Sequence, residues 1–312
     1  MAFRIKLIKD DTNIDFMSVH KAGLATAGLL IVAAFVLLFT KGLSFGIDFT
    51  GGLLIEVKTP AVMQVEDVRG KLANLSAGAP VIQEFGDDTF MIKIPGREAD
   101  EGLQKKMSAE VQAALGDDVE FRRVEYVGPQ VGKELIGTGI KAFVYSMIGI
   151  MLYIWVRYEW QFGVAAVASL AHDVIATMLF FIVTGIEFDL STVAAVLLVA
   201  GYSVNDTVII FDRIREILRK YRKKPLTEII NIAVNETLLR TIITSTTTLA
   251  VMVVLAFFGG AVIQGFIYAM IAGIFIGTFS SIFISAPLLL YMGIRREAAA
   301  AAGEEAGDAV KA

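Results

Sequence analysis

With 55% hydrophobic and only 19% charged side chains in 312 residues, this chain is too apolar for a soluble protein of its length, and its mean hydropathy is +0.65. A formal net charge of -4 offers no basic surface for nucleic acid. The absence of Cys excludes disulfides and thiolate chemistry, and the two histidines, His20 and His172, lie too far apart in sequence to suggest a zinc site.

Residues 1–21 read as a short cytoplasmic segment carrying Arg4, Lys6, Lys9 and Lys21, followed by an apolar run from Ala22 to Phe39. That order is also the order of a signal peptide, but no small-x-small cleavage site follows. The run spans about 27 Å at 1.5 Å per residue, enough to cross a bilayer. Residues 22–41 are therefore read as an uncleaved first span with a cytoplasmic N-terminus.

From 42 to 133 the composition turns soluble. GIDFTGG (Gly46 to Gly52) opens the region, and Gly51 and Gly52 allow a tight turn or a close backbone approach. Leu53 to Lys58 reads as a strand, Val65 to Leu75 as a helix, and Val81–Phe85 and Thr89–Ile94 as strands joined through Gly86-Asp87-Asp88. Leu103 to Leu115 is a second helix and Val119 to Val127 a closing strand. The order β-α-β-β-α-β predicts a ferredoxin-like domain. GIDFTGG lacks the strand–GxxxxGK–helix context of a phosphate loop, so no nucleotide site is read there.

Five more apolar segments follow, at about 136–156, 162–184, 190–211, 241–258 and 265–293. The link from 212 to 240 holds Arg213, Arg215, Arg219, Lys220, Arg222, Lys223 and Lys224, and the chain leaves the last span at Arg295-Arg296. The Gly185–Asp189 turn is acidic and Gly259–Gln264 is uncharged. Alternating sides from a cytoplasmic N-terminus puts the basic links inside and the 42–133 domain in the periplasm. The parts are then spans two to four in 134–211, a basic cytoplasmic link in 212–240, spans five and six in 241–294, and a low-complexity cytoplasmic tail in 295–312. Within the link, Leu226 to Leu239 reads as an amphipathic helix at the membrane surface, starting after Pro225.

The polar groups inside these spans carry the functional reading. In GYSVNDTVIIFDRIRE (Gly201 to Glu216), Asn205 and Asp206 lie in the apolar part, after the uninterrupted run Val193 to Ala200. An ionised Asp in hydrocarbon is costly, and such residues usually mark ion pathways. Tyr202 and Ser203 share a helical face with Asp206 and are its expected hydroxyl neighbours. The plainer alternative is a satisfied polar contact between packed helices. His172 and Asp173 sit near the centre of the third span, with Ser169 and Thr177 on the same face as Asp173. Arg240 opens the fifth span at the depth of Asp206, with Thr244, Thr247 and Thr248 on its side. A carboxyl that meets a guanidinium in one state and loses it in another can change protonation between them. In the sixth span, Ala269, Gly273, Gly277 and Ser281 form a small-residue stripe that reads as close helix packing.

GIDFTGG, LAHDV in the third span, GYSVNDTVIIFDRIRE in the fourth and RTIITSTTTL in the fifth together resemble the SecD/SecF family of Sec protein-export membrane subunits, over about residues 20 to 296. The resemblance implies one half of a pseudo-symmetric transporter of the resistance–nodulation–division type in the bacterial inner membrane. It also implies a SecD partner supplying six more helices, work at the SecYEG channel and its accessory subunits on a translocating preprotein, and the proton gradient as energy source, with no cofactor and no enzymatic reaction. It puts the family's proton-pathway acid and its basic partner on Asp206 and Arg240. From the residues themselves, Asn205, Asp173 and His172 are read onto the same pathway, with a structural role as the alternative for His172 and Asp173, and Gly46, Asp48, Gly51 and Gly52 are read as a motif whose glycines act as a hinge. A small-molecule or lipid exporter of the same class, or a structural assembly factor with Asp206 as packing glue, are the alternative functions.

Overall fold

A computed structural model describes residues 13–60, 63–73, 75, 80–84, 88–94, 101–116, 118–221, 223–259 and 263–294. The basic residues before 13, Gly86 and Asp87 of the expected hairpin, Arg222, and the tail with Arg295-Arg296 lie outside the described residues. The chain divides into two compact units. One comprises 44–142 with 187–193, and the other comprises 1–43, 143–186 and 194–312.

The first unit is built on a four-stranded antiparallel sheet, with β1 (Gly52–Lys58), β2 (Val81–Glu84), β3 (Thr89–Ile94) and β4 (Glu120–Val127) in the order β2-β3-β1-β4. With α3 (Val65–Leu72) and α4 (Glu101–Leu115) between the strands, this is the ferredoxin-like arrangement. Period-2 alternation sends Leu53, Ile55 and Val57 to one face, where they meet Phe90, Ile92 and Ile94 of β3. Val68 and Leu72 of α3, with Met107, Val111 and Leu115 of α4, close that face into a core. Of the expected hairpin turn, Asp88 is described. Its carbonyl accepts from the Thr59 amide at 2.8 Å, and its carboxylate pairs with Lys58 at 3.1 Å.

The second unit holds most of the apolar helices, although the starts of two of them, 134–142 and 190–193, belong to the sheet unit. Among the described residues, six helices are long and apolar enough to cross a membrane: Met17–Thr40, Glu134–Arg157, Trp160–Thr184, Leu190–Lys220, Leu226–Phe258 and Gln264–Tyr291. They contain α1 (His20–Thr40), α5 (Pro129–Arg157), α6 (Trp160–Thr184), α7 (Leu190–Lys220), α8 (Leu226–Phe258) and, in the last, α9 (Gln264–Ser280). A π-helical turn, Ser281–Ser285, then leads into the short α10 (Ala286–Tyr291). A short α2 (Ile47–Thr50) belongs to the sheet unit. Helix α6 packs against α1 and α9, and α9 also packs against α8.

One expectation is overturned. Residues 226–239 are not a separate helix but run without a break into the helix that holds Arg240. No Pro or Gly interrupts the chain from Leu226 to Phe258, so the i→i−4 ladder runs unbroken. Ile229, Ile230, Ala233 and Val234 bury against Ile210, Phe211, Ile214 and Ile217 of α7, which itself continues to Lys220. Ile154 and Tyr158 at the end of α5 and Phe162 of α6 complete this cluster. At 1.5 Å per residue, α7 and α8 are about 46 and 50 Å long, against about 30 Å of bilayer hydrocarbon. Their paired ends therefore leave the membrane as one hairpin.

The small-residue stripe is a packing surface, as its spacing predicts. A Cβ on Gly273 would stand 2.2 Å from Val199 Cγ2 of α7, and one on Gly277 would stand 2.9 Å from Ser203 Cβ. Backbone approach of this kind drives helix association where no hydrophobic effect operates. Gly273→Ala is therefore expected to destabilise the bundle by about 1–3 kcal/mol through overpacking. The thermal unfolding midpoint in detergent checks this. Val199→Ala in the same chain should restore most of the loss, and Gly201→Ala, which meets open space, should have little effect.

Candidate functional site

Asp173 of α6 stands at the centre of the helical unit, fully buried. Ser203 of α7 donates its Oγ hydrogen to Asp173 Oδ2 at 2.5 Å, and Ser280 of α9 donates to the same oxygen at 2.8 Å. His172 Nδ1 lies 3.2 Å from the other carboxyl oxygen. One carboxyl thus ties three helices together. The approach depends on Gly277, because any side chain there would strike Ser203 and push α9 off α7. Thr177 returns its hydroxyl to the Asp173 carbonyl at 2.7 Å, so it takes no part in the carboxyl's contacts.

Asp206 lies almost one turn further along α7 and has a different environment. It is 1% exposed, and neither carboxyl oxygen has a hydrogen-bond partner among the described residues. The hydroxyls expected beside it go elsewhere. Ser203 serves Asp173, and Tyr202 donates to Ser245 of α8 at 3.2 Å, with Ser245 in turn 3.0 Å from Thr278 of α9. Sharing a helical face did not make these groups partners, because each met a closer acceptor on a neighbouring helix. Arg240 of α8 acts on Asp206 electrostatically, but no ion pair joins them among the described residues. Arg240 and Asn205 are both exposed on the unit's surface, so the structure does not gather Asn205 with the buried acids.

The threonines beside Arg240 are not a polar lining for the acid. Thr244, Thr247 and Thr248 all return their hydroxyls to carbonyls of their own helix. Ser280 and Ser245 were not among the residues singled out from sequence. The available signal for Ser280 was its place three residues beyond Gly277, at the end of the small stripe.

In the sheet unit, the GIDFTGG motif forms a compact knot. Gly51 and Gly52 adopt φ of 72° and 142°, a region that L side chains rarely enter, and so turn the chain from α2 into β1. Gly46 N–H donates to the Phe188 carbonyl at 2.9 Å, and Phe188 N–H donates to the Ser44 carbonyl at 2.8 Å. Asp48 Oδ2 accepts from the backbone N–H of Leu190 at 2.8 Å. Leu190 is the first residue of α7, so the motif's acid satisfies one of that helix's orphan donors. Rings of Phe45, Phe49 and Phe188 pack around the knot. Among the described residues no group of His, Asp and Glu is placed to hold a metal ion.

The six apolar helices among the described residues, the buried acids between them and a ferredoxin-like sheet following the first helix define a membrane protein of resistance–nodulation–division-like fold. The comparisons with known proteins narrow the class. The family described as protein export membrane protein SecD/SecF, C-terminal, matches residues 107–295, and the SecD/SecF GG motif matches 36–59. Protein translocase subunit SecF of Rickettsia felis is 43% identical over 297 residues, covering 94% of this chain and 96% of that protein. The subunit of the same name from Cereibacter sphaeroides is 42% identical, covering 95% and 94%. A crystal structure of SecDF, a translocon-associated membrane protein from Thermus thermophilus, superposes with a TM-score of 0.82 at 33% identity, over 91% of this chain and 39% of that one. SecDF in its super-membrane-facing form gives a TM-score of 0.69, also at 33% identity, over 94% and 40%. This chain belongs to the SecD/SecF family of protein export membrane proteins. It spans about two fifths of the solved SecDF chains.

Proposed function

We propose that this chain is the SecF half of a proton-driven accessory of the Sec export machinery, acting with SecD at the SecYEG translocon to draw polypeptide through. The observation that carries the proposal is Asp206, a carboxyl buried within an apolar helix with no hydrogen-bond partner among the described residues. Such a group is retained at a cost unless it exchanges a proton or meets a charge in another state. Arg240, exposed on the neighbouring helix, is the charge available to it in this chain. The family's description as export proteins supports polypeptide as the substrate, and the words translocon-associated support the place of action. A SecD partner corresponds to the portion of the solved SecDF chains that this chain does not cover.

The same proposal sets the chain in the bacterial inner membrane with both termini cytoplasmic. The sheet unit then stands in the periplasm and the α7–α8 hairpin in the cytoplasm. The Arg and Lys residues between 213 and 224 support that orientation. His172 and Asp173 are the second proton-bearing station, tied to α7 through Ser203. The GIDFTGG knot is the point through which movement of the sheet unit is passed on.

The test is reconstitution of the chain with SecD and the translocon in vesicles that import a preprotein. An imposed proton gradient is expected to raise import and to produce a proton flux that needs this chain. An ionophore should lower import to the level of vesicles lacking the chain. Import that ignores the ionophore would overturn the proposal and leave the assembly role. A flux that needs neither translocon nor preprotein would favour a small-molecule exporter.

A further inference from the structure

The helical core face of the sheet is covered by α3 and α4, yet residues on its opposite face are also withdrawn from solvent. Leu54 is 7% and Met91 6% exposed, and the Lys93 side chain retains 12% of its exposure. On this face Lys93 of β3 forms an ion pair with Glu187, whose own side chain is also largely buried. Asp48 of the GIDFTGG motif and Asp189 lie close enough to act on the same ammonium. Burial holds that ammonium down to about 8, and the two aspartates pull the other way. A lysine with so little water around it depends on its anionic neighbours to stay charged.

Two of those neighbours, Glu187 and Asp189, come from the connection into α7, and the third, Asp48, comes from the GIDFTGG motif and bonds the first residue of that helix. Residues 187–193 belong to the sheet unit, and they include the first turn of the helix that carries Asp206. Asp189 takes the Thr192 N–H at 2.7 Å and the hydroxyls of Ser191 and Thr192, so it caps the turn. Asp48 takes the Leu190 N–H. Phe188 is fixed by backbone bonds to Gly46 and Ser44. Two of the carboxylates around Lys93, Asp48 and Asp189, thus also hold the start of α7 in place.

We propose that Lys93, with Glu187, Asp48 and Asp189, is an electrostatic latch that makes the first turn of α7 move with the sheet. Lys93 is a positioning residue, touching neither proton nor polypeptide, and its functional consequence rests on the proton-driven reading given above. With the latch closed, a displacement of β3 is carried to residues 187–193 and along the unbroken α7 backbone toward Asp206. With the latch open, the sheet shifts on its glycine turn and α7 stays behind.

The experiment measures amide hydrogen exchange at 190–193 and in the β1–β4 ladder, together with gradient-stimulated preprotein import, in vesicles holding the chain, SecD and the translocon. Lys93→Met removes the charge and keeps the stem. Glu187→Gln opens the pair from the other side and covers the case in which Lys93→Met does not fold. Both variants are expected to raise exchange at 190–193 at least tenfold, to leave Val57 and Val124 in the ladder protected, and to reduce gradient-stimulated import several-fold. Lys93→Arg is expected to retain protection and import. Unchanged exchange at 190–193 in both variants overturns the latch, as does equal loss in the ladder, which marks a merely structural lysine. If the unaltered chain gives no gradient stimulation, the proton-driven reading fails, while the exchange result still decides the latch.

Discussion

Asp206→Asn is expected to abolish the gradient-dependent part of export while leaving a folded chain that still assembles with SecD. The amide has the size of the acid and can hydrogen bond, but it cannot titrate at any accessible pH. One proton crossing 100 mV makes about 2.3 kcal/mol available, enough to shift a two-state equilibrium some fifty-fold. Because neither oxygen of Asp206 has a partner among the described residues, the substitution breaks no hydrogen bond here. A loss of function therefore cannot be assigned to a hydrogen bond lost within the described residues. Arg240→Met should give the same loss by removing the charge available to the acid. Import with its full gradient response in Asp206→Asn would leave Asp206 as packing glue.

At Asp173 removal of the carboxyl is expected to act on stability as well, because this acid, unlike Asp206, is tied into the packing. Asp173→Ala strands the Ser203 hydroxyl and the His172 ring in a fully buried position, while Ser280 keeps its bond to the Gly277 carbonyl. Each stranded group costs about 1–3 kcal/mol, so the variant should lose roughly 2–6 kcal/mol and several degrees of thermal midpoint in detergent. Asp173→Asn keeps an acceptor for Ser203 and should lose much less. A double-mutant cycle between Asp173→Ala and Ser203→Ala measures the shared part directly. If the cycle shows no coupling, the 2.5 Å contact contributes nothing to holding α6 on α7.

The contrast between these two acids marks the limit of what the residues alone disclose. Both are aspartates in apolar helices with hydroxyl side chains at helical spacing, Tyr202 and Ser203 for Asp206 and Ser169 and Thr177 for Asp173. Spacing along one helix names the neighbours on that helix, but the decisive partners came from other helices. Ser203 turned to Asp173, and Tyr202 turned to Ser245, leaving Asp206 without the hydroxyls it was expected to have. The sheet was legible almost throughout, because strand alternation and helix spacing are local signals. Its order β2-β3-β1-β4 followed from the β-α-β-β-α-β pattern. The continuity of α8 was missed because the basic link suggested a break, whereas backbone continuity is governed by the absence of Pro and Gly. The role of Lys93 was invisible for a related reason. A lysine in an alternating strand reads as an outward, solvated residue until the connection that covers it is placed.

The π-helical turn at Ser281–Ser285 has a consequence for how the last span meets its neighbours. A π turn holds one residue more than an α turn, so everything after it is rotated by about 100° relative to an unbroken α-helix. Before it, Gly273, Gly277 and Ser280 address α7 and α6. Just inside it, Phe283 fills the groove at Gly23 of α1, where a Cβ would stand 2.8 Å from its own Cβ. The surplus residue gives a single rod two seams that point in different directions. Removing one residue from the turn would be absorbed as a change of facing, with the backbone ladder closing up again as ordinary α-helix. The serines would keep their acid, and the phenylalanine would swing away from the glycine it was shaped to meet.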